Sequence, residues 1–215
     1  MNNLFNLIII LLPVVAYSYL IYIYTKYNKI NKSISSFEIT KEILNKNDLE
    51  YVHIVKAATL LPSHYDTRRK VIRLSSNIYD KNDLVSLTVA THESYHAVLY
   101  FKHKTYNDIL SFMFPLFNLI AKFCYPIMFI SILFNDKTFF DFSILLILSI
   151  IIYQIFIIYS EKHASNNAKI LLKTKFNNDE KYINNILFIT DFVFITLPIK
   201  YLIDYINIFL KKIKG

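Results

Sequence analysis

The stretch NDLVSLTVATHESYHAVLYF, residues 82–101, decides how this chain must be arranged. Asn82 or Asp83 offers a helix cap, and the residues that follow carry a helix through about Phe101. Within it, residues 92–96 read His-Glu-Ser-Tyr-His, an H-E-x-x-H pattern. Side chains four positions apart on a helix sit one turn above each other on one face. His92 and His96 can therefore offer two imidazole nitrogens to one metal ion, with Glu93 beside them to activate a water held there. Given the six His of the chain and as many Glu, chance would produce the pattern in about half a per cent of such sequences. That is too rare to dismiss as composition. The chemistry named is zinc-assisted hydrolysis, with one Zn2+ ion as cofactor and Glu93 as the catalytic base.

Two histidines do not complete a catalytic zinc site. A third protein ligand is needed, with a fourth position left open. That ligand must emerge on the same side of any bilayer as His92, so topology becomes part of the chemistry. A bilayer is expected: 54% of residues are hydrophobic, 16% aromatic and only 19% charged, with mean hydropathy +0.35, a balance seldom sustained by a soluble domain of this length. Leu4–Tyr24 carries no formal charge, Ile109–Phe134 only Lys122, and Phe142–Tyr159 none. Each is long enough to cross hydrocarbon as a helix. The first lacks the basic start and small-residue cleavage site of a signal peptide and reads as a retained anchor.

These runs divide the chain into five parts: an anchor over 1–24, a catalytic region over 25–106, a transmembrane hairpin over 107–159, a third-ligand helix over 160–182 and an apolar or amphipathic segment over 183–215. Residues 25–106 hold 13 Lys/Arg against 8 Asp/Glu, and 160–182 hold 5 Lys against 3 acids, whereas the link Asn135–Thr138 has one of each. The positive-inside bias places the two basic parts in the cytoplasm. It also accounts for the net charge of +8 without a nucleic-acid partner. The hairpin takes the chain out and back, and the first acid after the return is Glu161. A His92–His96–Glu161 site follows, with His163 a rival ligand at the same edge. Ala164 and Ala168 are small enough to let that segment pack closely on the His92–His96 helix.

Within 25–106, Ser36–Asn45 reads as a short capped helix with an early Glu38. Tyr51–Lys56 and Lys70–Leu74 alternate as strands and suggest a hairpin, with residues 62–66 as the connecting loop. The stretch 69–75 could serve as an edge strand for an extended peptide. His64 and Tyr65 are candidates for an oxyanion contact but fit a structural role better. Lys122 reads as snorkelling, Cys124 as a small buried hydrophobe, and Asp191 as a possible partner of a ligand histidine. Lys200, Asp204, Asn207 and Lys211 form a narrow polar stripe, which suits a non-spanning helix at the interface.

The ordered set of an N-terminal anchor, the stretch His64-Tyr65-Asp66-Thr67-Arg68-Arg69-Lys70-Val71-Ile72-Arg73-Leu74-Ser75, H-E-x-x-H, a hydrophobic hairpin and then Glu161, Ala164 and Ser165 in Glu-x-x-Ala-Ser resembles the membrane-bound neutral zinc metallopeptidases of bacteria, the YugP type. The resemblance covers most of residues 1–180. It implies a gluzincin with His92, His96 and Glu161 on zinc and Glu93 as base. The implied architecture is a mainly α membrane protein of three or four transmembrane or interfacial helices. A small α+β gluzincin-like layer of helix, β-hairpin and HExxH helix would lie at the cytoplasmic face of a bacterial cell membrane. Tyr95 stands where the family usually has Gly, and His163 where it usually has Asp. The expected activity is hydrolysis of peptide bonds in membrane or membrane-proximal proteins. The alternative is a catalytically inactive relative acting as an interaction or regulatory module.

Overall fold

The computed structural model describes residues 2–58, 63–134 and 136–192. The chain is mainly helical, with one small sheet. In order come α1 (Asn2–Tyr27), α2 (Ser36–Lys46), β1 (His53–Ala57), β2 (His64–Asp66), β3 (Val71–Ser75), α3 (Leu84–Lys102), α4 (Lys104–Leu133) and α5 (Lys137–Lys175). A 3-10 turn at Asn177–Asp179 leads into a further helix, α6, described over 180–192. The polar stripe at 200–211 lies outside the described residues.

Local chemistry sets the helix starts. Ser35 caps α2 in a reciprocal box: its hydroxyl accepts from the Glu38 N–H, and the Glu38 carboxylate accepts from the Ser35 N–H at 2.8 Å. The cap thus lies one residue before the Ser36 start suggested by sequence. Asp83 caps α3, accepting from Ser86 N–H at 2.9 Å and from the Ser86 hydroxyl at 2.7 Å. Leu84 N–H donates to Ile30 carbonyl at 2.8 Å, tying the start of α3 to the segment that leaves α1.

The sheet order is β1-β3-β2, with β1 parallel and β2 antiparallel to β3. This corrects three expectations. Residues 64–66 are a strand rather than part of a loop, and the hairpin joins β2 to β3 rather than β1 to β3. The stretch 71–75 is the middle strand, so both its edges are taken. The physical reason is the tight turn between Asp66 and Val71. Asp66 Oδ1 accepts from the backbone N–H groups of Arg68 and Arg69, and Lys70 adopts a left-handed φ of 54° that closes the reversal. With β2 folded back on one edge of β3, β1 occupies the other.

One core joins every element outside the apolar hairpin. Ile23 from α1, Ile39 and Ile43 from α2, Ile72 and Leu74 from β3, Leu84 and Leu87 from α3, Leu172 from α5, and Ile183 and Ile186 from α6 belong to a single buried cluster. α3 runs through it, and two of its buried hydroxyls bond back to their own helix: Thr88 to the Leu84 carbonyl and Ser94 to the Ala90 carbonyl. α1 closes on α6 through Tyr24 Oη and Thr190 Oγ1, 3.1 Å apart, and through Asn185 donating to Tyr27 Oη at 3.1 Å.

α4 and α5 pack on each other as a hairpin, with Cys124, Ile147 and Ile150 buried between them. Asp136 caps α5 by accepting from Thr138 and Phe139 N–H groups. Among the described residues, Lys104–Ser131 and Lys137–Lys175 are the segments long and apolar enough to cross a membrane. Their outward faces carry Phe112, Phe129, Leu133, Leu145 and Ile155 exposed, and Lys122 is exposed as well. α5 does not end where its apolar run ends. It continues for 39 residues in all, about 58 Å at the helical rise, so the apolar half over 142–159 and the polar half over 160–175 are one rod.

The polar half of α5 packs on α3, and there Ala164 and Ala168 are fully buried. Their small side chains allow the close approach expected from sequence. Ala168→Leu is expected to cost about 1–3 kcal/mol through overpacking, read as a lower unfolding midpoint in detergent. An unchanged midpoint would show that this contact does not bear on stability.

Candidate metal centre

His92 and His96 project from one face of α3 with ring centroids 4.7 Å apart, as a spacing of four on a helix requires. Glu161 arrives from α5, just beyond its apolar run. His92 Nε2 lies 3.1 Å from Glu161 Oε2, His96 Nε2 lies 3.4 Å from the same oxygen, and the two Nε2 atoms are 3.0 Å apart. Among the described residues these three form the one cluster of His, Cys, Asp or Glu able to share a cation, with all donor atoms within 4.8 Å of one another. His92 is buried, while Glu161 and His96 keep side-chain exposures of 16% and 17%.

The donor set fits zinc. Two imidazole nitrogens and one carboxylate oxygen are the borderline ligands this ion prefers. Tetrahedral bonds of the usual Zn–N and Zn–O length would separate neighbouring ligand atoms by about 3.3–3.5 Å, close to the three separations observed. The electrostatics agree. Burial alone would raise the Glu161 carboxyl, but His96 and His92 outweigh it and hold the group well below the usual carboxylate range. Burial would lower His96, yet Glu161 lifts it to about 9. The pocket is thus built around a fixed negative charge and demands a positive partner.

Glu93 sits one residue beyond His92 and turns toward β2. Its Oε2 accepts a hydrogen bond from the Tyr65 backbone N–H at 3.1 Å. Burial pushes its pKa up, with the charges of His96 and His92 opposing and that of Glu161 assisting. Of the two sequence readings of Tyr65, an oxyanion contact and the favoured structural role, the ring packing fits the structural one. Its backbone N–H meets Glu93, and the ring packs among buried residues against Tyr100. His64 lies beside it in β2, half-buried.

His163, the rival ligand, does not join the cluster. Two residues past Glu161 it faces another way; it is exposed, with Nδ1 3.0 Å from Asn167 Nδ2 and its ring beside Tyr159. Tyr95 is half-buried against the main core and senses the charge of Lys46, the last residue of α2. Asp191, the possible partner of a ligand histidine, does reach His92, but through Ser165. Ser165 Oγ lies 3.1 Å from His92 Nδ1 and donates to Asp191 Oδ1 at 2.6 Å. Sequence reading gave Ser165 no role of its own. Its signal was the spacing of four from Glu161, which puts both on one face of α5.

These residues lie within a broader likeness to known proteins. The "Putative membrane protease YugP" of Bacillus subtilis (strain 168) is 26% identical over 169 residues, covering 76% of this chain and 75% of that protein. No solved structure matches the chain. Residues 3–202 match a single family model, and the chain belongs to the family described as "Putative neutral zinc metallopeptidase".

Proposed function

We propose that the chain is a membrane-embedded zinc peptidase in which His92, His96 and Glu161 hold one ion and Glu93 is the general base. The observation that carries this reading is the convergence of the three donor atoms from two helices 69 positions apart in sequence. A chance pentapeptide gives no reason for Glu161 to approach His92 at 3.1 Å. Bound zinc would supply Lewis-acid polarisation of a scissile carbonyl and bring the pKa of a coordinated water toward about 7.

The protein's own groups do the rest. Glu93, set beside the two ligand histidines, takes the proton of the attacking water and returns it to the leaving amine. The Tyr65 N–H bonds one oxygen of the Glu93 carboxylate and so keeps the group aimed. Among the described residues β2 pairs only with β3. Its outer edge therefore lies beside the base and is the strand against which we place an extended peptide. This replaces 69–75 as the edge for substrate. A catalytically silent relative is the alternative, motivated by Tyr95 in place of Gly. The packing of Tyr95 into the core beside α2 favours the active reading.

The apolar hairpin and its exposed aromatic and aliphatic side chains support a bilayer as partner, and proteins within or near it as substrates. The basic balance of 25–106 and 160–182 supports a cytoplasmic active site in a multi-pass arrangement, with 1–24 as the anchor.

Glu93→Gln is expected to lower cleavage of an unfolded test protein by about 10²–10⁴-fold, the usual worth of a general base, while zinc content by elemental analysis stays at the unmutated level. Undiminished cleavage would reject the assignment of the base. Glu161→Gln is expected to weaken zinc binding by more than the roughly 10–100-fold typical of an outer partner, whereas His163→Ala leaves it unchanged. The reverse pattern in a chelator competition would exchange the third ligand.

A further inference from the structure

A serine hydroxyl carries one proton. That of Ser165 is committed to Asp191 Oδ1, 2.6 Å away, on α6. Toward His92 Nδ1, at 3.1 Å, the same oxygen can therefore only accept. His92 must carry its hydrogen on Nδ1, which leaves the Nε2 lone pair directed at Glu161 and His96. Ser165 is 3% exposed, so water does not readily take over either bond. Glu161 and Ser165 lie one turn apart on the same face of α5. One therefore closes on the Nε2 side of His92 while the other grips the ring from behind.

Resting on the zinc reading above, we propose that Ser165 and Asp191 act as one positioning relay that fixes the tautomer and ring orientation of His92 for metal ligation. α6 thereby becomes part of the metal centre rather than a cover over it. The carboxylate matters because it is acceptor-only. An amide at 191 could donate to Ser165, which would let the serine reverse and donate to Nδ1. The ring proton would then move to Nε2, where it blocks a ligand bond. α1 braces the same place, since Thr190, the neighbour of Asp191, bonds to Tyr24.

The test uses the full chain in detergent, with zinc affinity from competition against a chromophoric chelator and the ring state of His92 from 15N chemical shifts. Ser165→Ala and Asp191→Asn are each expected to weaken zinc binding by about 10–100-fold. The double variant should bind no more weakly than the worse single one, because the two residues form one path. In Asp191→Asn the metal-free His92 should shift toward the Nε2–H form, a change that a purely structural role would not produce. Adding Ser165→Asp to Asp191→Asn should recover most of the affinity, since a carboxylate then accepts the Nδ1 proton directly. If the unmutated chain binds zinc but Asp191→Asn binds equally well, or if the two losses add, the relay is wrong and the zinc site stands. If the unmutated chain binds no zinc, the metal reading fails and the relay falls with it.

Discussion

The structure depends on how closely α5 can approach α3. The two helices meet where α5 offers Ala164, Ser165 and Ala168, all nearly or fully buried, to the face of α3 that carries His92 and His96. Small side chains on α5 bring the backbones near enough for the Glu161 side chain to reach His92 on one flank of the contact. Ser165 reaches the same ring on the other. A larger residue at any of these positions would move donors whose mutual separations are 3.0–3.4 Å. Core packing and metal geometry are here one constraint, since interiors at near-crystalline density transmit displacement rather than absorb it.

α5 also couples that contact to the apolar hairpin. At about 58 Å by helical rise, it is close to twice the thickness of bilayer hydrocarbon, about 30 Å. One half is apolar and packs on α4, while the other half packs into the main core. No loop separates them, so any tilt of the apolar half is delivered to Glu161 without slack. Under the proposed function, the height of Glu161 above the hydrocarbon would be set by helix register rather than by a flexible joint.

Sequence disclosed the parts of this arrangement that rest on period and order. Histidines at a spacing of four, and a cap at Asp83, required a helix. Order along the chain singled out Glu161 as the first acid after the third apolar run. The sheet was less legible. β2 is only three residues long, too short for an alternation to register, and the parallel pairing of β1 with β3 leaves no local mark. Strand order turned on the Asp66 turn and the left-handed Lys70, which ordinary turn composition does not reveal. The pairing of Ser165 with Asp191 was hidden for another reason. It joins two helices across the turn at Asn177–Asp179, and no pattern along the chain measures that approach.

Charge gives the last step. Glu93, Glu161 and Asp191 lie around two imidazoles in a largely buried space, and an uncompensated cluster of this kind is costly. The three carboxyls do not share the cost equally. Burial pushes Glu93 and Asp191 up, while His96 and His92 hold Glu161 down, so Glu161 is the acid held most firmly as the anion. In the metal-free chain His96 supplies the balancing charge as a proton, its pKa lifted to about 9 by Glu161 despite burial. A divalent cation at the same point supplies more positive charge to the same anion, and a bound cation lowers the pKa of neighbouring acids. Occupancy would therefore oppose the upward push of burial on Glu93 and favour the ionised form that can accept a proton, so the charge that fills the site also favours the base beside it.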